Sequence, residues 1–554
     1  MKSAKLVKSA IVVTILCLIG ISLAFTWVQG VNAKKPHIIF IMADDLGWND
    51  VSFHGADQIP TPNIDALAYN GVILNRYYAQ PTCTPSRTAF LTGRYPIRTG
   101  MQGFPLQAPE PRGIPLNETL LPSHLKKLGY VTRLIGKWHT GYYTEGHTPA
   151  NRGFDSFFGY YNGMIDYFNH TYNEIAIDKT GYDLHRDFPN SLNVDYHASE
   201  YFTDIVSNQA EEIIRKHDPE TPLFLEIAHL APHSGGLIDP LQVRDLKEVN
   251  KTLGYIKDFN RRKFAGMMTA LDESVGRTVA ALKKAKMLEN SIIIFASDNG
   301  AQTEGLLENI GSNYPLRGLK FSVYEGGTRV VSCVYSPLIR KPSRVSNILM
   351  HVTDWLPTLY TAAGGNVNDL GEIDGVDQWS RIQSNKESNR KFVLLNIDEK
   401  EKTEAAIYGN FKIVKGAPEL YGNYYGDSGN SESYPKYNTT TVLNSLTNLA
   451  INENLFSQLS SRTLIKLRTL SEVRCKKFTQ FSNCSELCLF NTYIDPCETV
   501  DLSSKYPNMV KFLQNKLDDY RKVLVNQTNA KLDPAGYPEN FNGTWMPWRS
   551  DAKM

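Results

Sequence analysis

Cys83 stands apart from every other cysteine, in the run Gln80-Pro-Thr-Cys-Thr-Pro-Ser-Arg-Thr-Ala-Phe-Leu-Thr-Gly-Arg94. Pro85 favours the first turn of a helix, where its missing N–H is no loss. That places Cys83 at or just before a helix N-terminus, where the dipole and unpaired N–H groups favour negative charge. Arg87, four residues on, falls about one turn further along the same face. A reactive side chain beside a cation at a helix start is suited to an anionic substrate.

Oxygen donors follow the two most apolar runs. His37–Met42 leads into Asp44 and Asp45, and Ser291–Ser297 leads into Asp298 and Asn299. Adjacent carboxylates repel, so two at the end of a buried strand are costly as mere structure. Open α/β sheets place ligands at the carboxyl ends of their strands. A donor set of oxygens alone suits Ca²⁺ or Mg²⁺ rather than zinc. Further polar groups end other apolar runs. Lys137 and His139 lie two apart on the expected strand Tyr130–His139, so they face the same way and could clamp an anion. His229 and His233 both follow the strand Pro222–Ala228. Arg317, Lys320 and Arg329 punctuate a Gly-rich stretch that by itself reads as a hairpin.

The motif Cys83-x-Pro85-Ser86-Arg87, continued by Leu91-Thr-Gly-Arg94, resembles the signature of the type I sulfatases. Gly136-Lys-Trp-His139, Pro315-Leu-Arg-Gly-Leu-Lys320 and Glu325-Gly-Gly-Thr-Arg329 extend the likeness, which is closest to the arylsulfatase B group. The resemblance implies that a formylglycine-generating enzyme oxidises Cys83 to formylglycine, whose hydrate is the nucleophile. It implies one Ca²⁺ held by Asp44, Asp45, Asp298 and Asn299 together with position 83. It places Arg87 beside the nucleophile and Lys137 and Lys320 on the sulfate. His139 assists the aldehyde's recovery, and His233, rather than His229, acts as general acid. Arg317 and Arg329 are left structural roles. The implied substrate is a sulfated carbohydrate or small sulfate ester. N-acetylgalactosamine 4-sulfate is the first expectation, and small sulfated glycosides or phenols are the alternative. A phosphatase or phosphonate monoester hydrolase of the same superfamily is disfavoured because no His-rich zinc set is present. A binding protein without catalysis would show damage in the reactive set, and none is visible.

The elements needed to position these groups are those of an α/β fold. The expected architecture is a large, mostly parallel central sheet flanked by helices, alkaline phosphatase-like, with a smaller C-terminal antiparallel sheet and a helix. Expected helices are Pro62–Tyr69, Leu120–Leu128, Tyr201–His217, Phe259–Lys286, Asp354–Tyr360 and Tyr506–Val523. Gly71–Tyr78 reads as one strand, Arg152 to about Thr180 as loop bordering the substrate, and Gly416–Asn438 as a long loop. Composition turns polar near Gln383–Arg390, which divides a catalytic domain at 34–385 from a C-terminal α+β part at 386–554.

With 42% apolar and 21% charged residues among 554 and a formal charge of +2, nothing points to nucleic acid. Residues 1–33 read as a signal peptide: Lys2, Lys5 and Lys8 precede an apolar run from Ile11 to Phe25 that is short for a membrane span, so no stable anchor is expected. Asn117, Asn169, Asn250, Asn438, Asn483, Asn526 and Asn542 begin glycosylation sequons. Cys475, Cys484, Cys488 and Cys497 form an even set with three possible pairings, and Cys333 reads as a buried free thiol. Together these place the chain in the secretory pathway, lysosomal or extracellular.

Overall fold

The structure, a computed structural model, describes residues 34–550 other than 198, 237, 305–308, 417–424, 453–458 and 476–480. The expected signal peptide lies outside the described residues. Nine strands form the main sheet: β1 (His37–Ala43), β2 (Val72–Leu74), β3 (Val131–Lys137), β4 (Ser156–Tyr160), β5 (His185–Asp187), β6 (Leu223–Ala228), β7 (Ser291–Ser297), β8 (Ser332–Tyr335) and β9 (Arg344–Ser346). Their order is β9-β2-β8-β7-β1-β6-β3-β4-β5. The central five, β7, β1, β6, β3 and β4, run parallel. β8 and β5 flank them antiparallel.

β1 and β7 are buried at every position, because helices cover both faces of a parallel sheet. The covering helices include α1 (Pro62–Asn70), α2 (Cys83–Thr92), α3 (Phe202–Lys216) and α4 (Phe259–Lys284). Phe40 of β1 meets Phe90 of α2 at a ring-centroid distance of 4.4 Å and Trp355 at 5.6 Å. The register fixes the site. Ala43 pairs with Ser297 and Met42 with Ala228, which in turn pairs with Gly136. Residues more than 250 apart in sequence therefore leave the sheet side by side. Gly136 permits this closeness: it has φ +100°, and a Cβ there would lie 1.9 Å from the Ala228 carbonyl oxygen.

A second sheet of four antiparallel strands follows: β10 (Phe392–Asp398), β11 (Thr403–Tyr408), β12 (Phe411–Lys415) and β13 (Cys488–Asn491). Gly409 and Asn410 make the two-residue turn between β11 and β12, with Gly409 at φ 60°. Helix α5 (Pro507–Arg521) packs Leu513 and Leu517 into a core with Leu394, Ala406 and Ile413.

Several sequence expectations change. Gly71–Tyr78 is two short strands in different sheets, because the chain turns at Asn75–Arg76. The stretch read as rim loop contains β4, whose run Ser156-Phe-Phe-Gly-Tyr160 is buried as a sheet member. The Gly-rich segment after Pro315 is no hairpin but turns and the short helix Glu325–Thr328. Helices at Thr439–Leu443, Leu446–Asn452 and Ser461–Ser471 were not anticipated from the polar composition there. The disulfides are Cys475–Cys497 and Cys484–Cys488. Cys333 is buried and free. Among the described residues no helix is long and apolar enough to cross a membrane.

Candidate active site

Helix α2 begins at Cys83, following Thr82 in extended conformation with no side-chain cap. Ser86 ties the entering loop to the helix: its Oγ accepts from the Gln80 N–H at 2.9 Å and donates back to the Gln80 carbonyl. Gly93, at φ 67°, ends the helix in the left-handed conformation. Arg87 points from the second turn to Asp298, its Nε and Nη2 lying 3.2 and 2.9 Å from Oδ2. It also approaches Asp44 Oδ1 at 3.8 Å.

The carboxyl ends of β1 and β7 meet as their register requires. The Asp298 N–H donates to Ala43, and the Asp45 N–H donates to Asp298 Oδ1. Asp44 Oδ2 accepts from Lys137 Nζ at 2.7 Å. Asp45 Oδ2 accepts from Lys320 at 2.9 Å and faces His233 Nε2 at 3.5 Å, while its Oδ1 accepts from Asn299 at 2.7 Å. Ligand atoms of Asp44, Cys83 and Asp298 lie within 4.8 Å of one another, and so do those of Asp44, Asp45 and His233.

Burial and charge divide these carboxyls. Burial pushes Asp44 up to about 8 against the pull of Lys137. Burial also acts upward on Asp45, but Lys320 and His233 outweigh it and hold the group at about 2. The Cys83 thiol is raised, by burial first. Burial lowers His233 to about 3, so it is neutral in the free protein.

Asp44 Oδ1 and Asn299 Oδ1 are buried without a hydrogen-bond partner in this structure. Buried oxygens are rarely left unpaired without a ligand or a functional reason. The convergent donors of Asp44, Asp45, Asp298 and Asn299 are hard oxygens that fit a Ca²⁺-type cation, with the softer Cys83 sulfur beside them.

Every expected residue is in this assembly except one that arrives differently. β3 ends at Lys137, and His139 has φ 52°, so the two do not share the face of one extended strand. His139 instead pairs Nε2 with the Leu106 carbonyl at 2.9 Å, and its own carbonyl accepts from Thr84 beside Cys83. His229 is buried against Ser274 of α4 at 3.1 Å, a packed histidine as expected. Arg317 stacks on Tyr324 at 4.0 Å and binds the Ser482 carbonyl, away from the carboxylates. Sequence reasoning missed Asn309, which donates to Asp45 Oδ2 at 3.1 Å and accepts from the Ser234 N–H. It also missed Asn313, which fastens Ala301 and Gly318 around Lys320. Neither sits in a pattern that marks it.

The Sulfatase family profile matches residues 36–365. The chain belongs to the type I sulfatase family. It is 37% identical over 525 residues to Arylsulfatase J of Mus musculus, covering 93% of this chain and 81% of that protein. It is 31% identical over 356 residues to N-acetylgalactosamine-6-sulfatase of Homo sapiens, covering 62% of this chain and 65% of the relative. Among solved structures, Ps i-CgsB in complex with k-i-k-neocarrahexaose matches with a TM-score of 0.68 at 26% identity, covering 89% of this chain and 94% of that one. The protein is thus a sulfatase, an enzyme that hydrolyses sulfate esters, and its sheet architecture is that of its relatives.

Proposed function

We propose that this sulfatase cleaves a sulfate monoester with position 83 as nucleophile, and that the meeting of Cys83, Asp44 and Asp298 at the start of α2 carries the assignment. Conversion of Cys83 to formylglycine would supply a hydrated aldehyde that can take the sulfuryl group and then release sulfate by reverting to the carbonyl, which a serine cannot do. Asp44, Asp45, Asp298 and Asn299, with the side chain at 83, would hold a Ca²⁺ that screens the charge of the ester and of the nucleophile. Arg87 fixes Asp298 and sets positive charge beside the nucleophile. Lys137 and Lys320 bind sulfate oxygens, where charge shifts during transfer. His233 protonates the leaving alcohol from Nε2; the anionic ester raises its proton affinity against the effect of burial. His139 helps remove the proton that lets the aldehyde re-form.

The 4-sulfate of N-acetylgalactosamine has no support among the named relatives, one of which is a 6-sulfatase. The substrate is therefore a sulfated sugar or an aryl sulfate ester. Residues 34–385 would carry the chemistry and 386–554 would buttress it. Passage through the secretory pathway is supported by the exposure of all seven sequon asparagines, and residues 1–33 would serve as its signal.

The direct test is Cys83→Ser. We expect turnover of an aryl sulfate to fall by about 10⁴-fold or more, with at most one sulfate retained per enzyme molecule. Mass spectrometry of wild-type protein should show an aldehyde at position 83. An intact thiol in active enzyme, or repeated turnover by the serine variant at the wild-type rate, overturns the assignment.

A further inference from the structure

We infer that the leaving group accepted here is flat, largely apolar and free of charge beyond the ester sulfate itself, an inference that rests on the sulfatase reading of position 83. A cleft of about 770 Å³ starts at Pro81 and Thr82, immediately before Cys83, and includes Phe321, immediately after Lys320. The alcohol side of an ester held by Lys320 at position 83 would extend into it.

Two features of this cleft select its occupant. The first is aromatic. Phe104 and Phe321 lie nearly parallel, 17° apart with centroids at 5.8 Å, and Phe104 is 49% exposed. Phe321 has φ 74°, a region a bulky side chain rarely adopts. The Phe321 N–H bound to the Pro81 carbonyl at 2.8 Å and the Ser322 N–H bound to Leu319 hold it there. Backbone strain of this kind persists where the surrounding structure enforces it, commonly at ligand sites. Here it sets an aromatic ring beside the sulfate-binding lysine.

The second feature is charge. Among the described residues lining the cleft, the carboxylates of Glu110, Glu304, Asp398 and Glu401 face a single cation, Lys400. Glu110 is neutralised by Arg112 at 2.9 Å. The other three carboxylates have no ion pair among the described residues. Lys137, Lys320 and Arg87, behind the cleft, are matched by Asp44, Asp45 and Asp298, and a cation held there would act on the ester sulfate, so the rest of the substrate meets the charge of the cleft lining itself. A glycosaminoglycan chain brings a carboxylate and further sulfates with it, and a cleft lined by one sign of charge repels ligands of that sign. A monosulfate whose remainder is a ring avoids that repulsion and gains the aromatic surface.

The test uses the full-length enzyme with the aldehyde at position 83 verified. The probes are 4-nitrophenyl sulfate and a chondroitin sulfate trisaccharide ending in sulfated N-acetylgalactosamine. Because 4-nitrophenolate is the better leaving group whatever the cleft does, the readout is the change in the ratio of kcat/KM: the excess for the aryl sulfate should narrow severalfold as salt screens the cleft. The double variant E304Q/E401Q should shift the trisaccharide-to-aryl ratio of kcat/KM upward by about tenfold. F321A should raise KM for the aryl sulfate about tenfold with little change in kcat. A ratio unmoved by salt and by E304Q/E401Q overturns this inference and leaves the sulfatase reading intact. Failure of the verified enzyme to cleave both probes overturns this inference together with the reading of position 83 on which it rests.

Discussion

Lys137 and Lys412 are both fully buried lysines on carboxylates, and their surroundings differ in kind. Lys412 of β12 sits between Glu325 at 3.0 Å and Glu498 at 2.9 Å. Glu325 also accepts from Tyr78 at 2.9 Å and faces Arg329 at 3.5 Å, and its N–H donates to Glu498. Each carboxylate oxygen here lies within 3.0 Å of a donor in the cluster, even Glu498 Oε1, which meets Lys412 as an ion pair without a hydrogen bond, and the cluster joins the second sheet to the segment carrying Lys320. Lys137 meets Asp44 at 2.7 Å beside oxygens of Asp44 and Asn299 that find no hydrogen-bond partner. Charges that satisfy one another make a joint, whereas charges left with unused oxygens around a common point make a binding site.

Lys137→Met should lower kcat by about 10²- to 10³-fold, the range for loss of one group stabilising transferred charge. Thermal unfolding of the same variant should move less than a stranded buried charge would require, because Asp44, already raised to about 8, can take up a proton once Lys137 is gone. A loss of folding with normal activity per folded molecule would place Lys137 with Lys412 instead.

How much of this was legible in sequence depends on how local each signal is. β1 and β7 announce themselves as unbroken apolar runs, and the oxygen donors follow them directly. Cys83 is marked by its own helix-start chemistry. His139 could not be placed, because the extended backbone ends two residues before it and a left-handed residue re-aims the side chain. Asn309 reaches Asp45 from a loop 264 residues away. Lys412 alternates with apolar neighbours in β12 as a solvent-facing lysine would. Only the packing of that face against Tyr78 and Tyr324 buries it. Fold and nucleophile were therefore readable, while groups fixed by tertiary approach were not.

Lys412→Ala should separate stability from activity in the opposite sense. Removing one partner of a buried ion pair strands the other charges, at a cost of about 3–5 kcal/mol. A clear fall in Tm is expected, together with aryl sulfate kcat/KM per folded molecule near the wild-type value. If the variant kept its Tm and lost activity, the closed cluster would belong to the catalytic apparatus.

The smallest effect expected is a pH dependence within the closed cluster. Burial pushes Glu498 up to about 7 from 4.5, with Lys412 opposing and Glu325 adding to the rise. The folded state thus holds a proton that the unfolded chain releases at lower pH. Its contribution to stability is complete below about 4.5 and is lost as pH rises through about 7. Glu498→Gln keeps the shape but cannot titrate. The Tm of wild type relative to this variant should therefore be highest near pH 4.5 and decline toward pH 8. The protein's other buried carboxyls, such as Asp65 and Asp272, are raised as well and contribute to both proteins alike, so the difference between the two curves isolates Glu498. A difference that grew with pH would mean that Glu498 is ionised throughout and that Lys412 holds both carboxylates charged.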